Sequence, residues 1–123
     1  MGTELNNAGV VTMRTDGHIC IITVDNVAKK NAYSPEMMEQ LSQHLTTFDD
    51  DDSLWVAVLC SAGEHTTAGL DMPKFFGPTA TAKPRPPEWV DPFGLGRRSR
   101  KPLIAVVQGI TFTVGIAIML VCD

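Results

Sequence analysis

Two stretches decide the fold of this chain: Thr66-Thr67-Ala68-Gly69-Leu70-Asp71-Met72, and Lys101-Pro102-Leu103-Ile104-Ala105-Val106-Val107-Gln108-Gly109 with the apolar residues that follow it to Asp123. Each predicts a strand that ends in a glycine turn and opens into a helix. Such a turn leaves backbone N–H groups without intrahelical partners, and these groups can hold an anion or a developing oxyanion. The helix predicted after Gly109 carries no carboxylate before Asp123. The turns therefore predict a site that binds and polarises a ligand but has no proton-transferring side chain in that helix.

The residues before these turns predict a hairpin, a helix and another strand. Residues 10–25 place β-forming side chains on both sides of Asp16-Gly17, a strong hairpin signal. Ser34 is the expected N-cap of a helix of about 14 residues, with Pro35 at its first position and an apolar face for a sheet. Residues 54–60 form a continuous apolar run, typical of a strand covered on both faces. Strand, helix and strand in this order predict a right-handed parallel crossover.

Three further segments are interpreted from their composition. The acidic run 49–52 is expected to end the helix as a solvated turn, since it lacks the spacing of a calcium loop. Residues 77–92 are rich in proline and predict an irregular, mobile loop over a site. The basic cluster 97–101 has two interpretations, a solvated loop or a phosphate contact, and His65 is expected to be solvated.

The last apolar segments need cover. Residues 103–107 predict a buried strand, and residues 113–122 predict a helix with no polar face. A helix of this kind must be covered on every side, so we expect either a longer fold of which this chain is a part or a partner that supplies the cover. A membrane span over 103–122 is the alternative, but Gln108 and Gly109 interrupt the run in its middle.

Composition narrows the function classes. The 123 residues suit a single domain, and the net charge of −4 without a basic stripe argues against a nucleic-acid partner. Cys20, Cys60 and Cys122 show no metal-ligand spacing, which predicts buried free thiols and no metal site. Free thiols suit a reducing compartment, and the N-terminus lacks the build of a signal peptide. We therefore expect a cytoplasmic protein with no membrane segment.

The order of motifs resembles the N-terminal half of the crotonase superfamily, the enoyl-CoA hydratase/isomerase family. The residues that carry the resemblance are 29–32 with 34–37, 55–59 with 68–72, and 101–109 with Gly115 and 122–123. It implies an α/β fold, a crotonase-like spiral of ββα units that is incomplete at the C-terminus here. Residues 1–123 would be the N-terminal part of one domain, with the proline-rich loop 77–92 inside it. The resemblance also implies a homo-oligomer, a trimer or a hexamer.

The resemblance further implies the chemistry and its residues. Members of the family bind acyl-CoA and hold the thioester oxygen with two backbone N–H groups, which would be those of Leu70 and Val114 here. No cofactor is implied apart from the coenzyme A of the substrate, and Asp71 is expected to cap its helix. The implied substrate and CoA contacts are Ala28, Lys30, Ala32, Ala68, Leu70, Asp71, Met72, Gly109, Thr113, Val114 and Ala117.

Two departures from the family pattern leave the function open. Ala117 stands where many hydratases carry a glutamate, and Thr113-Val114-Gly115 replaces a run of glycines. A hydration that uses two carboxylates is therefore not predicted. The expected function is an enoyl-CoA hydratase/isomerase-like protein that polarises an acyl-CoA thioester. The alternatives are a non-catalytic or degenerate acyl-CoA binder, and an interaction or membrane-anchored protein that uses the apolar C-terminal segment.

Overall fold

The first two strands form the predicted hairpin. The computed structural model describes residues 9–123, in which strand β1 (Val10–Asp16) pairs antiparallel with β2 (Ile19–Asp25). Asp16 pairs directly with Ile19, so the loop is Gly17-His18, one residue later than predicted. Gly17 has φ 59°, which is the left-handed conformation that a tight hairpin turn requires at this position.

Helix α1 (Pro35–Asp50) follows and packs against β1 and β2. The Ser34 side chain accepts a hydrogen bond of 3.2 Å from the Met37 N–H, which confirms the predicted N-cap. The helix has 16 residues, and its acidic end lies inside the last turn. Its buried face consists of Met37, Met38, Leu41, Ser42, Leu45, Phe48 and Asp49.

Two parallel strands complete a sheet of order β1-β2-β3-β4. Strand β3 (Val56–Ser61) pairs parallel with β2, as the predicted crossover requires, and β4 (Leu103–Ala105) pairs parallel with β3. β4 ends two residues earlier than predicted. Ile104, Val106 and Val107 are 42% to 47% exposed, so the prediction of a buried strand is wrong for these side chains.

The segments between β3 and the C-terminus are mostly irregular. The predicted strand in 66–72 does not form; this stretch makes two isolated bridges and enters the short helix α2 (Met72–Phe75). Residues 77–92 contain neither a helix nor a strand, which confirms their irregularity, while their position over a site stays a prediction. The last helix, α3 (Val114–Val121), forms where expected.

Asp49 contradicts the interpretation of the acidic run as a solvated turn, whereas residues 50–52 are exposed as expected. Its side chain is 1% exposed and lies 2.8 Å from Arg97, while its second oxygen accepts hydrogen bonds from the Arg100 N–H and the Ser99 hydroxyl. Burial opposes ionisation of Asp49, but these three donors together outweigh burial and hold the pKa of its carboxyl below the usual value. Part of the basic cluster is therefore structural: it fixes the end of α1 to the chain entering β4.

Other sequence expectations fall on single residues. None of the helices within residues 9–123 has the length and apolarity to cross a bilayer. Cys20, Cys60 and Cys122 are free thiols, of which Cys20 is buried and the other two are half-buried. Burial raises the pKa of Cys20 to about 11. The N-terminal residues considered for a signal peptide lie outside the described part of the chain.

Candidate active site

The first glycine turn is fixed to the loop before α1 by backbone hydrogen bonds. The Ala68 N–H donates to Lys30 O at 2.9 Å, the Tyr33 N–H donates to Gly69 O at 2.8 Å, and the Asp71 N–H donates to Tyr33 O at 2.8 Å. Gly69 has φ 113°, a conformation that only glycine adopts without strain. The N–H of the next residue, Leu70, has no hydrogen-bond acceptor within residues 9–123.

Asn31 fixes the same loop from inside. Its side chain is 1% exposed, and its amide nitrogen donates to Ala62 O and to His65 O, both at 2.8 Å. Its side-chain oxygen accepts the Asn26 N–H at 2.7 Å. The Thr67 hydroxyl donates to Asn31 O at 2.6 Å. Because buried polar groups are costly to leave unpaired, this network holds the loop and the turn in one geometry.

The second turn lies directly beside the first. The Thr66 N–H donates to Gln108 O at 2.7 Å, the Thr67 N–H donates to Ile110 O at 3.0 Å, and the Phe112 N–H returns a bond of 3.0 Å to Thr67 O. The Thr67 side chain also packs against the start of helix α3. A Cβ at Gly115 would lie 2.6 Å from Thr67 Cγ2, so only glycine allows helix α3 to begin this close.

Gly69 and Thr113 are in contact, and each directly precedes one of the predicted oxyanion donors. A Cβ at Gly69 would lie 2.7 Å from Thr113 Oγ1. Val114 is the first residue of α3, so its N–H has no partner inside the helix, and none is found elsewhere in the described chain. The residues that directly precede Leu70 and Val114 are therefore neighbours in the structure.

Thr113 has an unusual backbone conformation. Its φ is 44° and its ψ is −105°, a region that a β-branched residue rarely occupies. Conformations of this kind cost about 1–3 kcal/mol each and persist only where the surroundings enforce them. Here the hydrogen bonds of Thr67 and the tight packing of Gly115 enforce the turn.

The loop that carries the first predicted CoA contacts is exposed. Ala28 lies in a 3-10 helix, Val27–Lys29, and Lys30 follows it with φ 51°. The side chains of Ala28 and Lys30 are exposed, and the half-buried Ala32 accepts a hydrogen bond of 2.8 Å from the Asn26 side chain. This loop is therefore rigid in its backbone and open on its outer side.

The remaining predicted residues lie at different depths. Met72 opens α2 and is 56% exposed. Gly109 has φ 56° and lies against the carbonyl oxygen of Glu64, where a side chain would overlap it. Ala117 is half-buried in α3, and its N–H donates to Thr113 O at 3.2 Å. The structure brings Ala68 and Leu70 together with the loop and Thr113 next to Gly69, whereas the nearest neighbours of Gly109 are in segment 64–65.

Asp71 does not act as the predicted helix cap. It stands at the N-cap position of α2, but its side chain makes no capping hydrogen bond. Its carboxylate lies 3.2 Å from Lys29 and 3.7 Å from Lys74. The ion pairs win over capping because two ammonium groups lie within reach of the same oxygen. Asp71 therefore connects the exposed loop to α2.

A cavity of about 520 Å³ opens beside Leu70. Its apolar lining comes from Leu70, Met38, Phe75 and Phe93, and its charged lining comes from Glu36, Glu39, Lys83 and Arg85. The proline-rich segment contributes residues 81–83 and Arg85 to one wall. The cavity can therefore hold a mainly apolar group with polar atoms at its rim.

Some structural residues of the site carried no clear sequence signal. His65 accepts the Ile110 N–H at 3.0 Å through Nδ1 and is half-buried, so the expectation of a solvated histidine is wrong. Thr67 is 1% exposed and contacts both turns. The only available cue for Asn31 was that asparagine tolerates the left-handed conformation, and its φ is 59°.

The comparison with known families decides the identity. A family model described as enoyl-CoA hydratase/isomerase matches residues 14–123. The chain belongs to the enoyl-CoA hydratase/isomerase family. This confirms the resemblance inferred from the motif order.

Individual relatives in this family agree. The chain is 35% identical over 102 residues to an enoyl-CoA hydratase of Mycobacterium tuberculosis, covering 76% of this chain and 36% of the relative. It is 30% identical to the hydroxycinnamoyl-CoA hydratase-lyase of Pseudomonas fluorescens over 131 aligned positions, 100% of this chain and 47% of the relative. The chain thus spans less than half the length of these relatives.

Solved structures confirm the fold. A probable enoyl-CoA hydratase/isomerase from Mycobacterium abscessus superposes with a TM-score of 0.80 at 30% identity, covering 93% of this chain and 45% of that one. An enoyl-CoA hydratase from Mycobacterium tuberculosis superposes with a TM-score of 0.76 at 29% identity, covering 92% and 43%. The α/β crotonase fold predicted from the sequence is therefore confirmed for the matched portion.

Proposed function

We propose that the protein binds an acyl-CoA thioester and polarises its carbonyl with the backbone N–H groups of Leu70 and Val114. The observation that carries the proposal is the contact between the two turns, in which Gly69 meets Thr113 and Thr67 meets Gly115. Family membership supports the same conclusion, because relatives are hydratases of CoA thioesters by name. Neither amide has an acceptor within residues 9–123, so both remain available to a ligand.

The two donors would act on developing charge. When a base removes a proton next to a thioester, or a nucleophile adds to its conjugated double bond, negative charge moves onto the carbonyl oxygen. Donors fixed in advance stabilise that charge without reorganising, and one such donor contributes about 10²–10³ in rate. Two backbone hydrogen bonds on either side of Leu70 supply that rigidity: Gly69 O accepts from the Tyr33 N–H, and the Asp71 N–H donates to Tyr33 O.

The remaining parts of the substrate have positions available around these donors. The acyl group would enter the cavity that Leu70 lines, whose apolar wall includes Phe75 and Phe93. The CoA moiety would lie along Ala28, Lys30 and Ala32, with Lys30 facing a phosphate as a point charge. Ala68, Asp71, Met72, Gly109, Thr113 and Ala117 complete the proposed contact set.

The acid–base group is not in α3. Helix α3 contains no ionisable side chain, and Ala117 stands at its fourth position. Enolate stabilisation is therefore the part of the reaction that this portion of the protein would perform. We propose hydratase or isomerase chemistry as the reaction class.

The sharpest test removes one N–H without changing a side chain. Replacing Val114 by its α-hydroxy acid converts the amide into an ester, so the backbone donor is lost and the isopropyl group stays. With the native full-length protein and a 2-enoyl-CoA, we expect kcat to fall about 10²–10³-fold, measured by loss of the conjugated thioester absorbance. Val114→Ala keeps the N–H and serves as the matched control, with an expected change below about tenfold.

Calorimetry separates binding from turnover. Heat on addition of a saturated acyl-CoA, without turnover of the enoyl-CoA, identifies a binder rather than an enzyme. If the ester variant retains full activity, or if neither heat nor turnover is found, the proposed function is wrong.

Lys30 gives an independent test of the CoA path. Lys30→Glu should weaken binding of acyl-CoA about tenfold, because a repulsion replaces an attraction near phosphate. An acyl-pantetheine lacks the phosphates of the nucleotide and should bind the variant and the unaltered protein equally. Equal affinity of both proteins for acyl-CoA would remove Lys30 from the proposed contact set.

The wider organisation is also proposed. Residues 1–123 would form the N-terminal part of a crotonase domain with the loop 77–92 inside it, and the native protein would assemble as trimers or hexamers. The exposed apolar side chains of β4 and α3 support this. Light scattering of the native full-length protein tests it, and a monomer would contradict it.

A further inference from the structure

Thr113 differs from the other residues of the two turns because its backbone is strained and its side chain stays accessible. Its φ of 44° and ψ of −105° are values that glycine adopts readily and threonine rarely. Thr113 is exposed, and its hydroxyl has no hydrogen-bond partner within the described residues. A β-branched residue held in this conformation has few alternative side-chain positions.

The Thr113 hydroxyl lies against the first turn. Its oxygen is 2.7 Å from the position that a Cβ of Gly69 would occupy, and Gly69 itself is buried. Gly69 directly precedes Leu70, and Thr113 directly precedes Val114. One unpaired O–H group is therefore one residue away from each of the two backbone donors.

We propose that the Thr113 hydroxyl is a third hydrogen-bond donor to the acyl oxygen, in addition to the N–H groups of Leu70 and Val114. The inference rests on the proposed function, which does not itself require a side-chain donor. A hydroxyl hydrogen rotates freely about its C–O bond, so it can turn toward charge as the charge develops. The contact with Gly69 on one side, and the fixed turn on the other, hold its oxygen in place.

The test compares variants that separate the hydroxyl from the shape of the side chain. Thr113→Val keeps the branched shape and removes the hydroxyl, whereas Thr113→Ser keeps the hydroxyl. In the native full-length protein with a 2-enoyl-CoA, we expect Thr113→Val to lower kcat about 10²-fold with KM changed less than about threefold. Thr113→Ser should stay within about threefold of the unaltered protein.

Thr113→Gly guards against a variant that fails to fold. Glycine adopts the observed φ and ψ without strain, so this protein should fold at least as well. It too should lose at least about tenfold in kcat, because the donor is gone while the backbone is relaxed. If Thr113→Gly or Thr113→Val is as fast as the unaltered protein or faster, the hydroxyl is not a donor and the inference is overturned.

Infrared spectroscopy gives a readout that a merely structural role would not move. The thioester carbonyl stretch of a bound saturated acyl-CoA should lie at lower frequency in the unaltered protein and in Thr113→Ser than in Thr113→Val. An unchanged frequency in Thr113→Val overturns the inference alone. A protein that neither binds nor converts CoA thioesters overturns the proposed function, and this inference with it.

Discussion

The region from β1 to β3 and the region of β4 with α3 bury their apolar side chains to very different degrees. In the first region Ile22, Met37, Leu41 and Phe48 are each 0% exposed. In the second, only Gly115 and Ile118 of α3 are buried, and Leu120 is 74% exposed. At the sheet edge, Leu103 of β4 is buried, but Ile104 is 47% exposed.

The difference shows where the information for each element lies. α1 has an N-cap, a proline at its first position and an apolar stripe, and all three match the sheet that it packs on. α3 is apolar on every side, and the described residues cover one side of it only. The turn before α3 is nevertheless well defined, because it contacts Thr67 and Gly69 of the first glycine turn, and the Thr67 hydroxyl donates to Asn31 O in the first region.

The largest expected effect on the free energy of unfolding comes from truncating a leucine in the first region, compared with a leucine in the second. Leu41→Ala leaves a cavity among fully buried side chains and should lower the free energy of unfolding by about 2–5 kcal/mol. Leu120→Ala, a matched truncation of an exposed side chain, should change it by less than about 0.5 kcal/mol. Urea denaturation of the 123-residue chain at micromolar concentration, followed by circular dichroism, measures both.

A similar loss of unfolding free energy in Leu41→Ala and Leu120→Ala would contradict the difference between the two regions. Leu120 would then be covered in solution, by a second copy of the chain or by a rearranged terminus. A dependence of the Leu120→Ala result on protein concentration would identify the second copy as the cover.

Asn31 tests how firmly the first region holds the site. Asn31→Ala leaves the carbonyl oxygens of Ala62 and His65 and the Asn26 N–H without their partner, and we expect a loss of about 2–4 kcal/mol. Gln43→Ala, on the exposed side of α1, is a neutral control that removes an amide of similar size. A loss below about 0.5 kcal/mol would mean that water replaces the three bonds without cost.

Much of the fold was predictable because its signals are local. The hairpin, the helix with its Ser34 cap and the strand at 56–61 all follow from residues close in sequence. Pairings between distant residues were not predictable: Asp49 and Arg97 are 48 positions apart, and each alone resembles a solvated charge. For the site, the motif order predicted the two turns. The contact of Gly69 with Thr113 could not be inferred, because no local pattern records how closely two loops approach.

Asp49 lies at the boundary between the two regions, and the stability that it contributes there should depend on pH. Its pKa is lowered in the folded chain, so the stability that it contributes is present above its unfolded value of about 3.9 and is lost as the pH falls through the folded pKa. Asp49→Asn should cost about 1.5 kcal/mol near neutral pH, the value of one hydrogen bond to a charged group. The difference between the two proteins should shrink below about pH 4.

Urea denaturation between about pH 3 and about pH 7, a range that spans the ordinary aspartate pKa of about 3.9, measures this difference. Asp52→Asn is the matched control, because Asp52 is exposed and forms no ion pair within residues 9–123. If Asp49→Asn and Asp52→Asn give the same profile, Asp49 does not connect the two regions energetically.

The smallest effect on stability is expected from Leu120→Lys. This variant tests the uncovered region most directly, through its self-association. Ile104 of β4 and Ile116 and Leu120 of α3 expose apolar side chains of the kind that promote association, so the 123-residue chain should self-associate. A lysine at the most exposed α3 position places a charge among these side chains and should lower the weight-average mass in sedimentation equilibrium, while the free energy of unfolding changes by less than about 0.5 kcal/mol. Leu95→Lys is the control, because Leu95 is 89% exposed but lies in a loop outside β4 and α3. A monomeric unaltered chain with a sharp two-state melt would contradict the prediction, since the apolar face of α3 would then be stable in water without a partner.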